Sequence, residues 1–174
     1  MVEYITRDAT THGMPINSQT LLSSFQNSVK NAVKRNISKE PTIYWRTGDF
    51  KKSLIEVGMG KYTGNIRSIT LTLSENVYKM DRLKLDMKNM TLIKGVPNFQ
   101  IEEYNDKTYI DENGELNVYI GIDKVLISFS KNDAVSIVQN DTVGFVLDKN
   151  KMFCGILVSG MLEHEKKILE EALE

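Results

Sequence analysis

The chain reads as an α+β protein, an antiparallel sheet or partial β-barrel with a long N-terminal helix and a C-terminal helix. Three observations predict this class. An apolar stripe at helical spacing runs from Leu21 to Ile37. Short strand-like segments with turn signals recur every roughly 8–12 residues through the second half. A second helical stripe then closes the chain after residue 160.

Residues 1–16 show no periodicity and read as an extended arm or capping strand. Asn17 and Ser18 offer N-cap oxygens ahead of the helical run, whose apolar face is Leu21, Leu22, Phe25, Val29, Val33 and Ile37. Lys30, Lys34 and Arg35 sit near its C-terminal end, where cations suit the macrodipole, and Pro41 marks the stop. TIYWR is β-branched and aromatic and predicts a strand, whereas DFKKSLIEV is compatible with a short helix or a strand. GMGKYTGN reads as a glycine-bearing loop. Ile69, Leu71 and Leu73 alternate with threonines, and Leu83, Leu85 and Met87 with charged residues, as half-buried strands do.

In the second half FQIEEY and TYIDE flank Asn105-Asp106, and Asn113-Gly114 is the strongest hairpin signal. LNVYIGI, VLISFS, AVSIV, VGFVLD and MFCGILVS follow, with turns at Asn140-Asp141 and Lys149-Asn150. The closing helix spans residues 161–173, with Glu170, Glu171 and Glu174 opposing its dipole.

A length of 174 residues, with 41% hydrophobic and 26% charged, predicts one globular domain over 1–174. The formal net charge of -1 hides a polarity. Residues 1–96 hold 15 Lys+Arg against 8 Asp+Glu, and residues 97–174 hold 7 against 15. After the arm, 17–96 is therefore a basic helix-plus-strands half and 97–174 an acidic β-meander half. Such a split points to an anionic partner, to head-to-tail contact between copies, or to two halves that neutralise each other on folding. No apolar run approaches the roughly 18 residues of a spanning helix, so no membrane partner is expected. With a single cysteine and a charged N-terminus, the expected location is cytoplasmic.

Four kinds of chemistry find no support in the residues. Gly58-Met59-Gly60-Lys61-Tyr62-Thr63-Gly64 has Ile55 where a phosphate-binding loop needs its first glycine, and Tyr62 where it needs Ser or Thr. His12, His164 and Cys154 are too few and too scattered for a metal site. Asp148-Lys149-Asn150 begins like a calcium loop but has Phe153 in place of the turn glycine. Cys154 lies in an apolar strand, the setting of an inert thiol. No enzyme activity, cofactor or metal is expected. The remaining candidate is the basic block between 30 and 52, with Lys30, Lys34, Arg35, Arg46, Lys51 and Lys52 as binding residues. Tyr44 and Trp45 lie inside it, and mixed cations and aromatics suit nucleic acid. Trp45, between Tyr44 and Arg46, is expected in the core.

Residues 20–80 resemble phage neck and tail-completion proteins. The order of features is similar: a helix, Pro41, the stretch Thr47-Gly48-Asp49-Phe50-Lys51-Lys52-Ser53-Leu54, the Ile69–Leu73 strand and Tyr78. The resemblance implies a non-enzymatic assembly protein, a head–tail or tail component of a virion that forms rings through complementary surfaces. Residues 125–158 also resemble a small bacterial β module of unknown function. The sequence thus predicts a binding or assembly protein with a protein partner or self-association, the alternative being a nucleic-acid-binding or host-modulating protein.

Overall fold

The computed structural model describes residues 3–5 and 39–173, apart from 82, 84, 86, 102, 103 and 105. A two-stranded ribbon pairs β1 (Glu3–Ile5) with β7 (Asn98–Gln100). A four-stranded sheet runs in the order β4 (Ile66–Leu73), β3 (Leu54–Gly60), β2 (Thr42–Gly48) and β8 (Tyr109–Asn113). The third sheet has seven strands. It begins with β5 (Asn76–Lys79), β9 (Asn117–Ile120), β10 (Lys124–Ser128) and β13 (Phe153–Ser159). It ends with β12 (Val143–Asp148), β11 (Ala134–Asn140) and β6 (Thr91–Lys94). Helix α1 (Glu163–Leu173) follows.

The predicted class is corrected by this architecture. The protein is β-rich, and α1, with 11 residues, is the only α-helix among the described residues. The long N-terminal helix predicted after Asn17 lies outside the described residues. The two larger sheets are mixed rather than antiparallel: β2 pairs with β8, β5 with β9 and β6 with β11, all in parallel. Each parallel pair joins a strand of the basic half to one of the acidic half. The polarity along the chain is therefore interleaved in space, and ion pairs Arg46–Asp111 and Lys79–Glu170 cross it.

Two facing sheets enclose one core. Ile43 and Trp45 of β2, Ile55 and Val57 of β3 and Ile69 of β4 pack with Val118, Ile127, Phe145, Phe153 and Ile156. Trp45 is buried there, edge-on to Phe129 at 5.2 Å between ring centroids. On the other face of the seven-stranded sheet, Leu126, Ile137, Val146, Cys154 and Leu157 form a second cluster, covered by Leu83, Leu85 and Met90. Burial on both faces explains why β12 and β13 are apolar without alternation.

Two local expectations change. Leu83, Leu85 and Met87 belong to no strand; Leu83 and Leu85 pack over the second cluster instead. Asn113-Gly114 is not a hairpin turn, because β8 and β9 belong to different sheets. Gly114 donates its N–H to the Gly48 carbonyl, and a Cβ there would stand 2.5 Å from the Thr47 hydroxyl oxygen. The glycine serves close packing at a crossover between sheets.

Candidate functional site

The glycine loop does surround an anion, and the anion is internal. Glu40 accepts the N–H groups of Tyr62 and Thr63 at 2.6 and 3.0 Å, and the Thr63 hydroxyl at 2.6 Å. Its carboxylate also pairs with Arg67 at 3.2 Å, and both side chains are largely buried. The remaining loop amides donate to carbonyls: Gly60 to Asn65, Lys61 to Pro41 and Gly64 to Gly60. Gly58–Gly60 extend β3, so the loop proper is shorter than the glycine spacing suggested. Its donors are saturated from within the chain.

Other candidate groups are structural too. Asp148 is buried and accepts the N–H groups of Asn150 and Met152 and the Asn132 side-chain amide, closing the β12–β13 turn. Cys154 is buried, with its thiol pushed up to about 12, first by desolvation and then by Asp148. No group of three metal-ligating side chains occurs among the described residues. His164 lies exposed on the first turn of α1, and His12 lies outside the described residues.

The basic block divides. Lys30, Lys34 and Arg35 lie outside the described residues. Arg46 projects from the outer face of the four-stranded sheet and grips Asp111 at 2.8 and 2.9 Å. Its guanidinium carbon lies 4.2 Å from the Tyr109 ring centroid, and Tyr109 stacks on Tyr44 at 5.6 Å. This is a cross-strand ladder between β2 and β8, with the cation already matched by a carboxylate. The Arg46 pKa is raised, first by its hydrogen bond to Asp111. Lys52 pairs with Glu75, and that contact raises its pKa as well. Lys51 makes no ion pair among the described residues.

Lys51 and Lys52 stand at the tip of the β2–β3 hairpin, beside the residue that sequence reasoning passed over. Phe50 has a φ of +59° and is 37% exposed. A bulky residue in this left-handed region is an outlier that costs free energy, and such outliers are enriched at functional sites. The carboxylate of Asp49 imposes the conformation. One oxygen accepts the N–H groups of Lys51, Lys52 and Ser53 at 3.0, 2.8 and 2.7 Å, and the Ser53 hydroxyl at 3.1 Å. Those bonds hold the Asp49 pKa well below its ordinary value. Phe50 itself donates its N–H to the Ser53 carbonyl at 3.2 Å. At the hairpin's base, a Cβ on Gly48 would run into that same carbonyl. The result is a hydrogen-bonded tip with a partly exposed phenyl ring beside two lysines. The Thr47–Leu54 stretch, one part of the phage resemblance, is this hairpin. The legible signal was Gly48-Asp49 with Ser53 four residues on, the composition of a side-chain-capped turn.

Past the ends of β5 and β9, an open groove of about 450 Å³ lies between the segment after β5 and the β9–β10 turn. Leu83, Leu85, Met87 and Ile122 give it an apolar lining, with Asp81 and Asp123 on its rim. Ile122 is 67% exposed at the tip of its turn. No model of a known protein family matches the chain, and no curated protein matches it either.

Proposed function

We propose that the protein is a non-enzymatic assembly protein that self-associates through the tip of its β2–β3 hairpin. The observation that carries this reading is Phe50, held exposed at positive φ by the Asp49 carboxylate and flanked by Lys51 and Lys52. An aromatic anchor on a pre-ordered support is the arrangement that concentrates binding energy in protein contacts. Saturation of the glycine loop by Glu40 and burial of Cys154 remove two sites where catalysis would be sought. Nucleic acid fits the described surface less well, because Arg46 and Lys52 already hold carboxylates. The narrower form of the reading, a phage head–tail or tail component, rests on the resemblance over residues 20–80 alone.

Multi-angle light scattering of the purified chain at low and high salt tests the proposal. The expected result is a mass above that of the monomer at low salt that falls as salt is raised. A strict monomer at every concentration and both salts would overturn it. Salt-sensitive binding of a labelled oligonucleotide, lost on reversing Lys51 and Lys52 to Glu, would assign the tip to nucleic acid instead.

A further inference from the structure

We infer that Asn113 is a deamidation site gated by the pairing of β8 with β2, shut while that strand is in the sheet and open when it detaches. The inference is independent of how the hairpin tip is used. Asn113-Gly114 is the only Asn-Gly step in the sequence. Glycine puts no side chain beside its own amide, which leaves that nitrogen open to the asparagine side-chain carbonyl. The chemistry needs only water. The Gly114 nitrogen gives its proton to solvent base and bonds to Asn113 Cγ, while the Cγ–Nδ2 bond breaks and the side-chain nitrogen takes a proton and leaves as ammonia. Water then opens the five-membered imide at either carbonyl. One product is aspartate. The other is isoaspartate, in which the main chain runs through the former side chain and is one methylene longer.

The fold withholds the first step. Asn113 is exposed, so water reaches its amide, but it is the last residue of β8 and lies opposite Gly48 in the parallel register. The Gly114 N–H donates to the Gly48 carbonyl at 3.1 Å, and a hydrogen-bonded amide keeps its proton until the bond opens. The extended backbone at Asn113 must also turn before Cγ can reach that nitrogen. Gly114 has no room to shift, since a Cβ there would stand 2.5 Å from the Thr47 hydroxyl oxygen. The gate is the strand itself. β8 is an edge strand held only through β2, so it can leave while β2, β3 and β4 stay paired. Isoaspartate makes that departure one-way, because the added methylene displaces Gly114 from the Gly48 carbonyl and the packing on Thr47 leaves no other seat. Aspartate keeps the backbone and only adds a charge to a segment that already carries Asp111, Glu112 and Glu115.

Peptide-map mass spectrometry of the whole chain, aged in warm and mildly alkaline buffer, tests the inference. Enzymatic methylation of isoaspartate separates the two products, and the chain unfolded in denaturant is the reference. Folded wild type is expected to convert Asn113 at least about tenfold more slowly than that reference. Arg46→Lys, shown by a thermal melt to be folded, is expected to convert roughly two- to fivefold faster than the wild type, because Arg46 grips Asp111 of β8. Isolated isoaspartyl protein is expected to lose amide protection along β8, and aspartyl protein to keep it. Folded conversion as fast as that of the unfolded reference would overturn the inference, since the pairing would then shield nothing. An Arg46→Lys rate no faster than the wild type would overturn it as well, since detachment of β8 would not be the gate.

Discussion

Arg46 holds Asp111 with two parallel hydrogen bonds, Nε to Oδ1 at 2.8 Å and Nη2 to Oδ2 at 2.9 Å. The two residues are directly opposite in the parallel β2–β8 register, 65 positions apart in sequence. β8 is an edge strand attached only through β2, so this grip and the Tyr44–Tyr109 stack hold it in place.

Replacing Arg46 with Lys tests that role. Lysine keeps the charge and loses both the planar fork and the stacking on Tyr109. The pair is partly solvated, which limits the effect. The expected loss is about 0.5–1 kcal/mol, or roughly 1–4 °C in Tm. Asp111→Asn should lose a similar amount, and the double variant less than the sum of the two. Fully additive losses in a thermal-melt cycle would show that the pair does not couple.

Glu40 anchors the turn after β3 from 22 residues away. Removing its side chain leaves Arg67 buried beside two unpaired amides, and breaking a buried pair from one side is costly. Glu40→Ala should lose about 3 kcal/mol in denaturant unfolding. Glu40→Gln keeps the acceptor oxygen and should lose less. A loss below about 1 kcal/mol for Glu40→Ala would contradict the assignment of this carboxylate as the loop's internal anion.

Asp49 sets the pH dependence of the hairpin tip. Its pKa is depressed by the backbone amides of Lys51, Lys52 and Ser53, so its stabilising contribution is present above the unfolded-state value and lost as pH falls through the folded one. Amide exchange at these three residues should stay protected at neutral pH and begin to open only below about pH 4. Asp49→Ala should open them at neutral pH. Protection that fades between pH 7 and 5 would mean that another group controls the tip.

Local signals carried much of the fold. Strands β10 to β13 and helix α1 stand where short apolar runs, turn residues and helical spacing placed them, because those signals act over a few residues. Strand β2 was legible for the same reason, as was the burial of Trp45. The crossover at Asn113-Gly114 was not, since the dipeptide suits a hairpin and only the long-range parallel pairing of β8 with β2 decides otherwise. Leu83 and Leu85 alternate with charged residues whether they form a strand or simply cover a sheet. At the site, Lys51 and Lys52 were visible as charge, but the role of Phe50 was not. Its φ is set by a carboxylate one residue earlier, and hydropathy does not register backbone conformation. The pairing of Arg46 with Asp111 was hidden by sequence distance, so Arg46 looked like a free cation when a carboxylate matches it.

The most direct measurement is the mass of Phe50→Gly beside that of the wild type, taken by sedimentation across a concentration series, with a thermal melt of each. Glycine adopts positive φ without strain, which offsets its entropic cost and the loss of the ring's covered surface, so the fold should melt within a few degrees of the wild type. The account predicts that the variant is monomeric where the wild type is not. A variant that associates like the wild type would contradict the tip as the contact element.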